Sequence, residues 1–365
     1  EEVILEITNV AHSSLLIAHR NREEFLKQIS KIDGVYVPAI SHHLSVISVK
    51  KRIVKDLDNA YFPTSPMVPY IQIVHDRITI EVMRGCPHHC KFCQARGIFH
   101  PLRLRSVAKI LEIAEASVKN TGYEEISLLS LSTGDYPYME ELAAKMEERF
   151  KGKGVKVSLP SLRVKSFSSH EGRAVLKRAG LTFAPEAGSE RLRYLLNKKI
   201  TNEDIIRKSE DALNSGWKKV KLYFMIGLPG ETDADLDAII ELASRIKNVS
   251  LSISAFIPKP HSDFENEGMT DMGEMERRKG YIMSGVRGLT SRRHIKTDFH
   301  DLKMSRIEAV LSRGDRNIGK AIFLAWQKGA RLQSWKDHFD HNIWDKCFEE
   351  SEIHPADYLK ASGPD

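Results

Sequence analysis

The chain has 365 residues, of which 41% are hydrophobic and 28% are charged. This composition is ordinary for a folded protein and excludes a disordered chain, and no apolar run reaches the roughly 18 residues that a membrane-spanning helix needs. Lysine and arginine exceed aspartate and glutamate by 55 − 49 = 6 charges. Because no apolar run is long enough to span a membrane, we expect no membrane partner. The excess of positive charge is so small and dispersed that it gives no support to a nucleic-acid partner.

The first 76 residues predict one helix followed by an extended arm. Apolar residues at helical spacing predict the helix over 14–31, and Gly34 marks its end. Three prolines exclude a long helix from the stretch 39–76. We interpret this stretch as an arm that lies against the rest of the chain.

From residue 77 onward, short apolar segments alternate with helical patterns. The predicted strands are 78–82, 125–131, 155–159, 181–184, 219–226 and 250–256. The predicted helices are 107–119, 138–150, 170–178, 189–196, 202–215 and 233–246. This alternation predicts βαβ units and a parallel sheet covered on both faces. Six units favour an α/β fold of the open, partial (β/α)6 barrel type over a complete eight-unit barrel.

The pattern after residue 260 is mostly helical. The segment 272–289 is polar and interrupted by glycines, and the segments 307–326 and 335–348 carry large apolar residues at helical spacing. We therefore divide the chain into an N-terminal helix and arm (1–76), a barrel core (77–260) and a helical C-terminal extension (261–365). We interpret the aromatic residues of the extension as core residues because of their spacing. These are Phe323, Trp326, Trp335, Phe339, Trp344 and Phe348. A basic stretch that includes His294, Lys296, His300 and Arg306 is either a solvated face or part of the barrel mouth.

Cysteine usage points to a metal site. Cys86, Cys90 and Cys93 lie within eight residues directly after the first predicted strand, and Cys347 stands alone. Such crowding is unsuited to a disulfide framework and indicates a metal site in a reducing, cytoplasmic compartment. In parallel β/α folds the carboxyl ends of the strands carry the active site. Three interpretations are open at this point: a zinc site completed by a nearby histidine, an unligated thiol cluster, and a [4Fe–4S] cluster with one open iron.

The CxxxCxxC spacing, with Phe92 before the last cysteine, resembles the motif of the radical S-adenosylmethionine (SAM) superfamily. The resemblance implies a [4Fe–4S] cluster held by Cys86, Cys90 and Cys93, with SAM chelated at the open iron. It further implies reductive cleavage of SAM to methionine and a 5′-deoxyadenosyl radical. The electron would come from a one-electron reductant protein such as a flavodoxin or a ferredoxin.

Two strand ends resemble the superfamily's contacts to the methionine half of SAM. Gly134 and Asp135 stand where the superfamily has a Gly-Glu stretch that receives the amino group, and a strand-to-helix turn is the simpler alternative. Arg163 follows the third predicted strand and is suited to a carboxylate of SAM or of substrate, with a surface arginine as the alternative.

Two further strand ends resemble contacts to the adenosyl half. Glu186 and Ser189 lie in the string EAGSERL, which resembles a ribose-binding motif; the alternatives are a buried ion pair for Glu186 and a helix N-cap for Ser189. Gly227 and Gly230 permit the backbone to approach a flat ligand such as adenine, or they form a simple βα turn.

The strings RGCPHHCKFCQA and TFAPEAGSERLR resemble an uncharacterised subgroup that carries an N-terminal cobalamin-binding-like domain. The 76 residues before the barrel are too few for such a domain, and a DxHxxG loop is missing. We therefore expect a radical SAM enzyme with an unknown substrate. The alternatives are a cobalamin-dependent radical methyltransferase whose corrinoid domain lies outside this chain, and a zinc-stabilised RNA-binding module. A methylthiotransferase is disfavoured because its second cluster needs three more cysteines and only Cys347 remains.

Overall fold

The computed structural model describes residues 2–17, 22–41, 49–158, 181–289 and 295–362. These residues form nine strands and fourteen α-helices, numbered along the chain. The strands are β1 Ile78–Glu81, β2 Met83–Arg84, β3 Arg103–Leu104, β4 Glu125–Leu129, β5 Lys156–Ser158, β6 Leu181–Glu186, β7 Val220–Ile226, β8 Val249–Ala255 and β9 Lys296–Phe299. The helices are α1 Glu2–Ile17, α2 Arg22–Ile29, α3 Pro38–Ser41, α4 Gln94–Phe99, α5 Val107–Thr121, α6 Met139–Phe150, α7 Glu190–Leu195, α8 Asn202–Asn214, α9 Asp233–Arg245, α10 Met272–Leu289, α11 Leu302–Arg313, α12 Ile318–Gln327, α13 His341–Glu350 and α14 Pro355–Leu359.

The chain divides into two compact units. One contains Glu1–Tyr70 and Arg103–Gly122, and the other contains Ile71–Leu102 and Tyr123–Asp365. In the first unit, α5 begins at the N-cap Ser106, whose hydroxyl accepts from a backbone N–H, and ends at a left-handed glycine. No helix among the described residues is long and apolar enough to cross a bilayer.

The prediction of one N-terminal helix over 14–31 is wrong. The chain forms α1 and α2 there, and α1 begins twelve residues before the predicted start. Val3, Ile7 and Val10 repeat at helical spacing and are all partly buried, so the pattern that the prediction overlooked lies in 2–13. The stretch after α3 contains no strand or helix in its described part, 49–77, as the prolines predict.

Parallel pairing organises the second unit into two sheets, in the orders β1-β4-β5 and β6-β7-β8-β9. The predicted α/β fold class is confirmed. The predicted helix over 170–178 lies outside the described residues. Because the strands of each sheet run parallel, their carboxyl ends meet at one edge, and that edge positions the candidate site.

The core of the second sheet explains its local sequence. Alternate residues of β7 from Val220 to Ile226 are fully buried, as are Leu251 and Ile253 of the neighbouring β8. Helix α9 covers them with Leu236 and other buried residues. Each such side chain contributes about 1.5–3 kcal/mol of hydrophobic stabilisation, so this sheet is a firm base for the residues at its carboxyl edge.

Strand β9 was not predicted. Helix α10 has the predicted bounds, 272–289, whereas the helices after it differ from their predicted bounds. β9 pairs with β8, where Lys296 lies opposite Ser250. The predicted helix over 307–326 is two helices that separate at Gly314, where a Cβ atom would come within 2.2 Å of the Ile318 side chain. Helix α13 begins at residue 341 rather than 335, because Asp340 caps its first turn.

The core interpretation of the aromatic residues is right for only some of them. Trp344 and Phe348 are buried, whereas Phe323, Trp326 and Trp335 are 57%, 54% and 62% exposed. Phe323 and Trp326 stack on each other with their ring centroids 5.8 Å apart. Helical spacing shows that residues share a face, but it does not show whether another element covers that face.

Candidate active site

The three clustered cysteines lie on a loop of residues 85–93, the cysteine loop, between β2 and α4. All three are partly exposed, and none is in a disulfide. Gly85 opens the loop with φ +98°, and a Cβ atom there would lie 2.9 Å from the Phe99 carbonyl oxygen. Only glycine tolerates this positive φ together with this close approach, so the backbone at Gly85 sets the direction in which the loop leaves β2.

Contacts to the turn after β4 and to the residues after α7 hold the cysteine loop. His88 Nε2 lies 2.8 Å from Asp135 Oδ2, just after β4. On the other side, the Lys91 N–H donates to the Leu196 carbonyl over 3.1 Å, and Asn197 Nδ2 donates to the His89 carbonyl over 2.8 Å. The loop is therefore fixed between the turn after β4 and the end of α7.

The donor set of the loop suits an iron–sulfur cluster. Three thiols in one short loop are the soft ligands that such clusters take. No group of three or more histidine, cysteine or acidic side chains in the described part of the chain converges on a position for a single ion. Thiolates of a cubane cluster bind different irons, so they do not need to converge on one atom.

Gly134 and Asp135 form a single 3₁₀ turn after β4. The Asp135 carboxylate accepts from the Ser132 hydroxyl and pairs with His88. The side chain of Asp135 thus holds the cysteine loop. The contact to the methionine amino group, which remains a prediction, would therefore come from the backbone of Gly134 and Asp135. Arg163, the other residue predicted to contact this half of SAM, lies outside the described residues.

Glu186 ends β6 in an unusual backbone conformation. Its φ is +72°, and the pairing register of β6 with β7 shifts between Phe183 and Glu186. Non-glycine residues at positive φ are uncommon and concentrate at functional sites. The β6 end therefore aims an acidic side chain in a direction that regular strand geometry would not give.

The Glu186 carboxylate forms a buried ion pair. Lys198 Nζ lies 2.7 Å from its Oε1, and the two side chains are only 8% and 11% exposed, respectively. The same Nζ lies 5.9 Å from the centre of the Phe92 ring, on the cysteine loop. Phe92 also packs against buried residues that include Met225. A line of contacts therefore runs from the β6 end to the cysteine loop.

Lys198 was missed by the sequence analysis. It lies twelve positions after Glu186, beyond α7, and no local pattern links the two residues. The buried-pair alternative for Glu186 therefore holds in this structure, and its predicted contact to the ribose remains a prediction. Ser189 acts as the N-cap of α7, since its Oγ accepts from the Leu192 N–H over 3.1 Å. It also donates to the carboxylate of buried Asp235.

Gly227 and Gly230 lie in the turn after β7, both with positive φ. The Gly227 N–H donates to Glu231 Oε2 over 2.6 Å, and its carbonyl accepts from the Thr270 hydroxyl. Thr232 begins α9 with a capping box. The turn is thus built as predicted, and the adenine contact remains a prediction. Sequence reasoning missed Glu231, whose side chain is 1% exposed and pairs with Arg278.

Burial raises the pKa of Glu231 to about 7, although the Gly227 N–H and Arg278 oppose the shift. A raised pKa in the folded state favours the protonated carboxyl. The protonated Glu231 carboxyl therefore contributes fully to the stability of the fold below about pH 4.5, and this contribution is lost as the pH rises through about 7. Relative to Glu231→Gln, we expect the wild-type free energy of unfolding to fall by up to roughly 3 kcal/mol from pH 4.5 to 8.

Urea denaturation of both proteins across this pH range measures the effect. The exposed Glu267 provides the matched control, since Glu267→Gln removes a carboxylate that has no such burial. A difference between wild type and Glu231→Gln that stays constant with pH would contradict the assignment.

A cavity of about 380 Å³ is lined by residues of β7, β8 and β9 and of the segments that follow β8 and β9, and we call it the polar cavity. Phe92 and Met225 contribute apolar walls, and four acidic or basic residues also line it. The four are Lys259, Asp298, His300 and Glu308. The basic stretch predicted in this region is split, because His300 lines the cavity whereas Arg306 pairs with Asp345. His294 lies outside the described residues.

Comparison with known proteins agrees with a parallel α/β fold that carries three cysteines at its strand ends. Residues 80–243 match the family described as the radical SAM superfamily. The uncharacterised protein MJ0966 of Methanocaldococcus jannaschii is 34% identical over 331 residues, which cover 86% of this chain and 70% of that protein. This chain belongs to the radical SAM superfamily, and it is an enzyme.

More distant similarities extend across the same superfamily. The tRNA-2-methylthio-N(6)-dimethylallyladenosine synthase of Pelagibacter ubique is 23% identical over 285 residues, which cover 72% of this chain and 62% of that protein. The structure of the radical SAM methyltransferase TsrM from Kitasatospora setae, with cobalamin and a [4Fe–4S] cluster bound, aligns with a TM-score of 0.49 at 11% identity. That alignment covers 75% of this chain and 61% of TsrM.

Proposed function

We propose that this chain binds a [4Fe–4S] cluster through Cys86, Cys90 and Cys93 and cleaves SAM reductively to act on an organic substrate. The observation that carries the proposal is the cysteine loop. Three thiols without a disulfide lie on the loop that follows β2, and contacts to Asp135 after β4 and to Asn197 after α7 fix this loop. Superfamily membership supports the same chemistry.

When bound, the cluster supplies the electron that converts SAM into methionine and a 5′-deoxyadenosyl radical. The residues of this chain bind and orient. His88 and Asp135 hold the cysteine loop in place. The partly buried Phe92 gives an apolar surface beside the last cysteine, which keeps water away from reactive species. A flavodoxin or a ferredoxin is the proposed reductant.

The remaining predicted contacts complete the proposed SAM site. The Gly134 backbone receives the methionine amino group, and Arg163 pairs with a carboxylate. Glu186 accepts hydrogen bonds from the ribose hydroxyls, with Ser189 supporting the helix that follows. The turn at Gly227 and Gly230 lies against the adenine, because its left-handed glycines bring the backbone close to a flat ring.

The direct test is formation of 5′-deoxyadenosine. The chain is reconstituted anaerobically with iron and sulfide and reduced with dithionite, and products are quantified by liquid chromatography. We expect 5′-deoxyadenosine and methionine in equal amounts, dependent on SAM and on the reductant. Iron-loaded, folded protein that yields neither product would contradict the proposal.

Buried Cys347 argues against methylthio transfer by these residues alone. Its side chain lies at 0% exposure among the C-terminal helices, and burial raises the pKa of its thiol. It is therefore unsuited to bind a second cluster, which would need ligands outside this sequence.

Gel filtration after incubation with hydroxocobalamin tests the cobalamin-dependent alternative. We expect these 365 residues not to retain the cobalamin.

A further inference from the structure

A second cavity, of about 510 Å³, adjoins the polar cavity. Its lining is mostly apolar and includes Ile307, Leu311, Phe339 and Trp344, and we call it the apolar cavity. The indole N–H of Trp344 donates to Gln333 over 3.1 Å, so the ring presents an apolar face without an unsatisfied donor. Both volumes are within the range of small-molecule sites.

His300 and Glu308 line both cavities. Helix α11 forms the common wall. Its residues 304, 307, 308 and 311, at helical spacing, line the apolar cavity, while residues 305 and 308 line the polar cavity. Since two side chains belong to both linings, the polar space beside the cysteine loop lies next to the apolar space among the C-terminal helices.

The charges of the polar cavity do not cancel completely. Lys259 Nζ lies 2.6 Å from Glu308 Oε1, so these two residues neutralise each other. Asp298, at the end of β9, is exposed to the cavity, and among the described residues its carboxylate makes no hydrogen bond or ion pair. A protonated amine would form a charge-assisted hydrogen bond with it.

We propose that the two cavities form one substrate site for an amphipathic amine, with the basic nitrogen at Asp298 and the hydrocarbon or ring portion between α11 and α13. This inference rests on the proposed function, because that function decides which end of the substrate reacts. Phe92 of the cysteine loop lines the polar cavity, so the reacting end is the one in that cavity, beside the loop. Every charged residue in the argument lies outside the segment 80–243 that matches the superfamily. The proposed site therefore draws its charged residues from the part of the chain that follows the matched segment.

Calorimetric titration of the full chain with n-octylamine, methylamine and sodium octanoate tests the proposal. We expect saturable one-to-one binding of octylamine, and at least tenfold weaker binding of methylamine and of octanoate. Equal affinity for methylamine would remove the apolar cavity from the site. Equal affinity for octanoate would remove the basic nitrogen from the proposed substrate.

Variants test which residues bind the amine and which bind the hydrocarbon chain of octylamine. Asp298→Asn should weaken octylamine at least tenfold, whereas Asp337→Asn, at an exposed carboxylate in neither cavity, should leave it unchanged. Leu311→Trp should fill the apolar cavity and weaken octylamine at least tenfold. Ser334→Trp fills it from an exposed position, and it replaces Leu311→Trp if that variant does not melt cooperatively. Unchanged octylamine affinity in Asp298→Asn or in a folded cavity-filling variant would overturn the proposal.

These titrations need neither the cluster nor SAM, so the two proposals fail separately. Octylamine binding without SAM cleavage would contradict only the proposed function. SAM cleavage without selective octylamine binding would contradict only the amphipathic-amine site.

Discussion

Replacing Cys86, Cys90 or Cys93 with alanine should remove most of the iron that the reconstituted chain retains, and with it all formation of 5′-deoxyadenosine. Each thiolate holds a different iron of the cluster, so the loss of one ligand leaves two attachment points on a partly exposed loop. Iron and sulfide analysis after anaerobic gel filtration measures the first effect, and product chromatography measures the second.

Cys347→Ala is the matched control, because it removes the fourth thiol of the chain without touching the cysteine loop. Cys347 is buried among the C-terminal helices, so circular dichroism must confirm that the variant is folded. We expect its iron content to equal that of the wild type. An equal loss of iron in folded Cys347→Ala would contradict the assignment of the cluster to the loop.

Lys198→Met should lower the free energy of unfolding by about 3–5 kcal/mol, because it leaves Glu186 as a buried carboxylate without its counter-ion. The double variant Lys198→Met/Glu186→Gln removes both charges and should recover most of that loss. Urea denaturation measures all three proteins. A double variant no more stable than Lys198→Met would show that the cost lies in packing rather than in the unpaired charge.

The exposed pair of Lys145 and Glu141 provides a control of the same chemistry. Its atoms are also close, at 2.6 Å, but both side chains are 49% exposed. Water solvates either charge when its partner is lost, so Lys145→Met should change stability by less than about 1 kcal/mol. The contrast isolates burial as the cause of the large effect at Lys198.

Glu186→Ala tests the proposed ligand role of this residue. In the folded protein it should weaken SAM binding by about 1–3 kcal/mol, the scale of a hydrogen bond to a charged group. Calorimetry with the cluster-loaded protein measures this affinity. Unchanged affinity would remove Glu186 from the SAM site and leave it as one half of an ion pair.

The strands of the barrel core could be predicted because their signals are local. β1, β4, β6, β7 and β8 lie within two residues of their predicted bounds, since each is an apolar run between turn residues. β9 could not be predicted in this way. Its residues at the edge of the sheet alternate between exposed and partly buried, so its sequence carries no continuous apolar run.

The sequence by itself determined the chemistry that this chain can carry and the edge at which it carries it. Three thiols at CxxxCxxC spacing after a strand are a local pattern, and parallel βαβ topology places every strand's carboxyl end at the same edge. The tertiary structure alone decided which side chains meet there. Glu186 pairs with Lys198, and His88 pairs with Asp135 from 47 positions away. The polar and apolar cavities share His300 and Glu308 because α11, which packs against β8, lines both of them. Such contacts depend on how complete elements pack, and no local spacing of residue types encodes that packing.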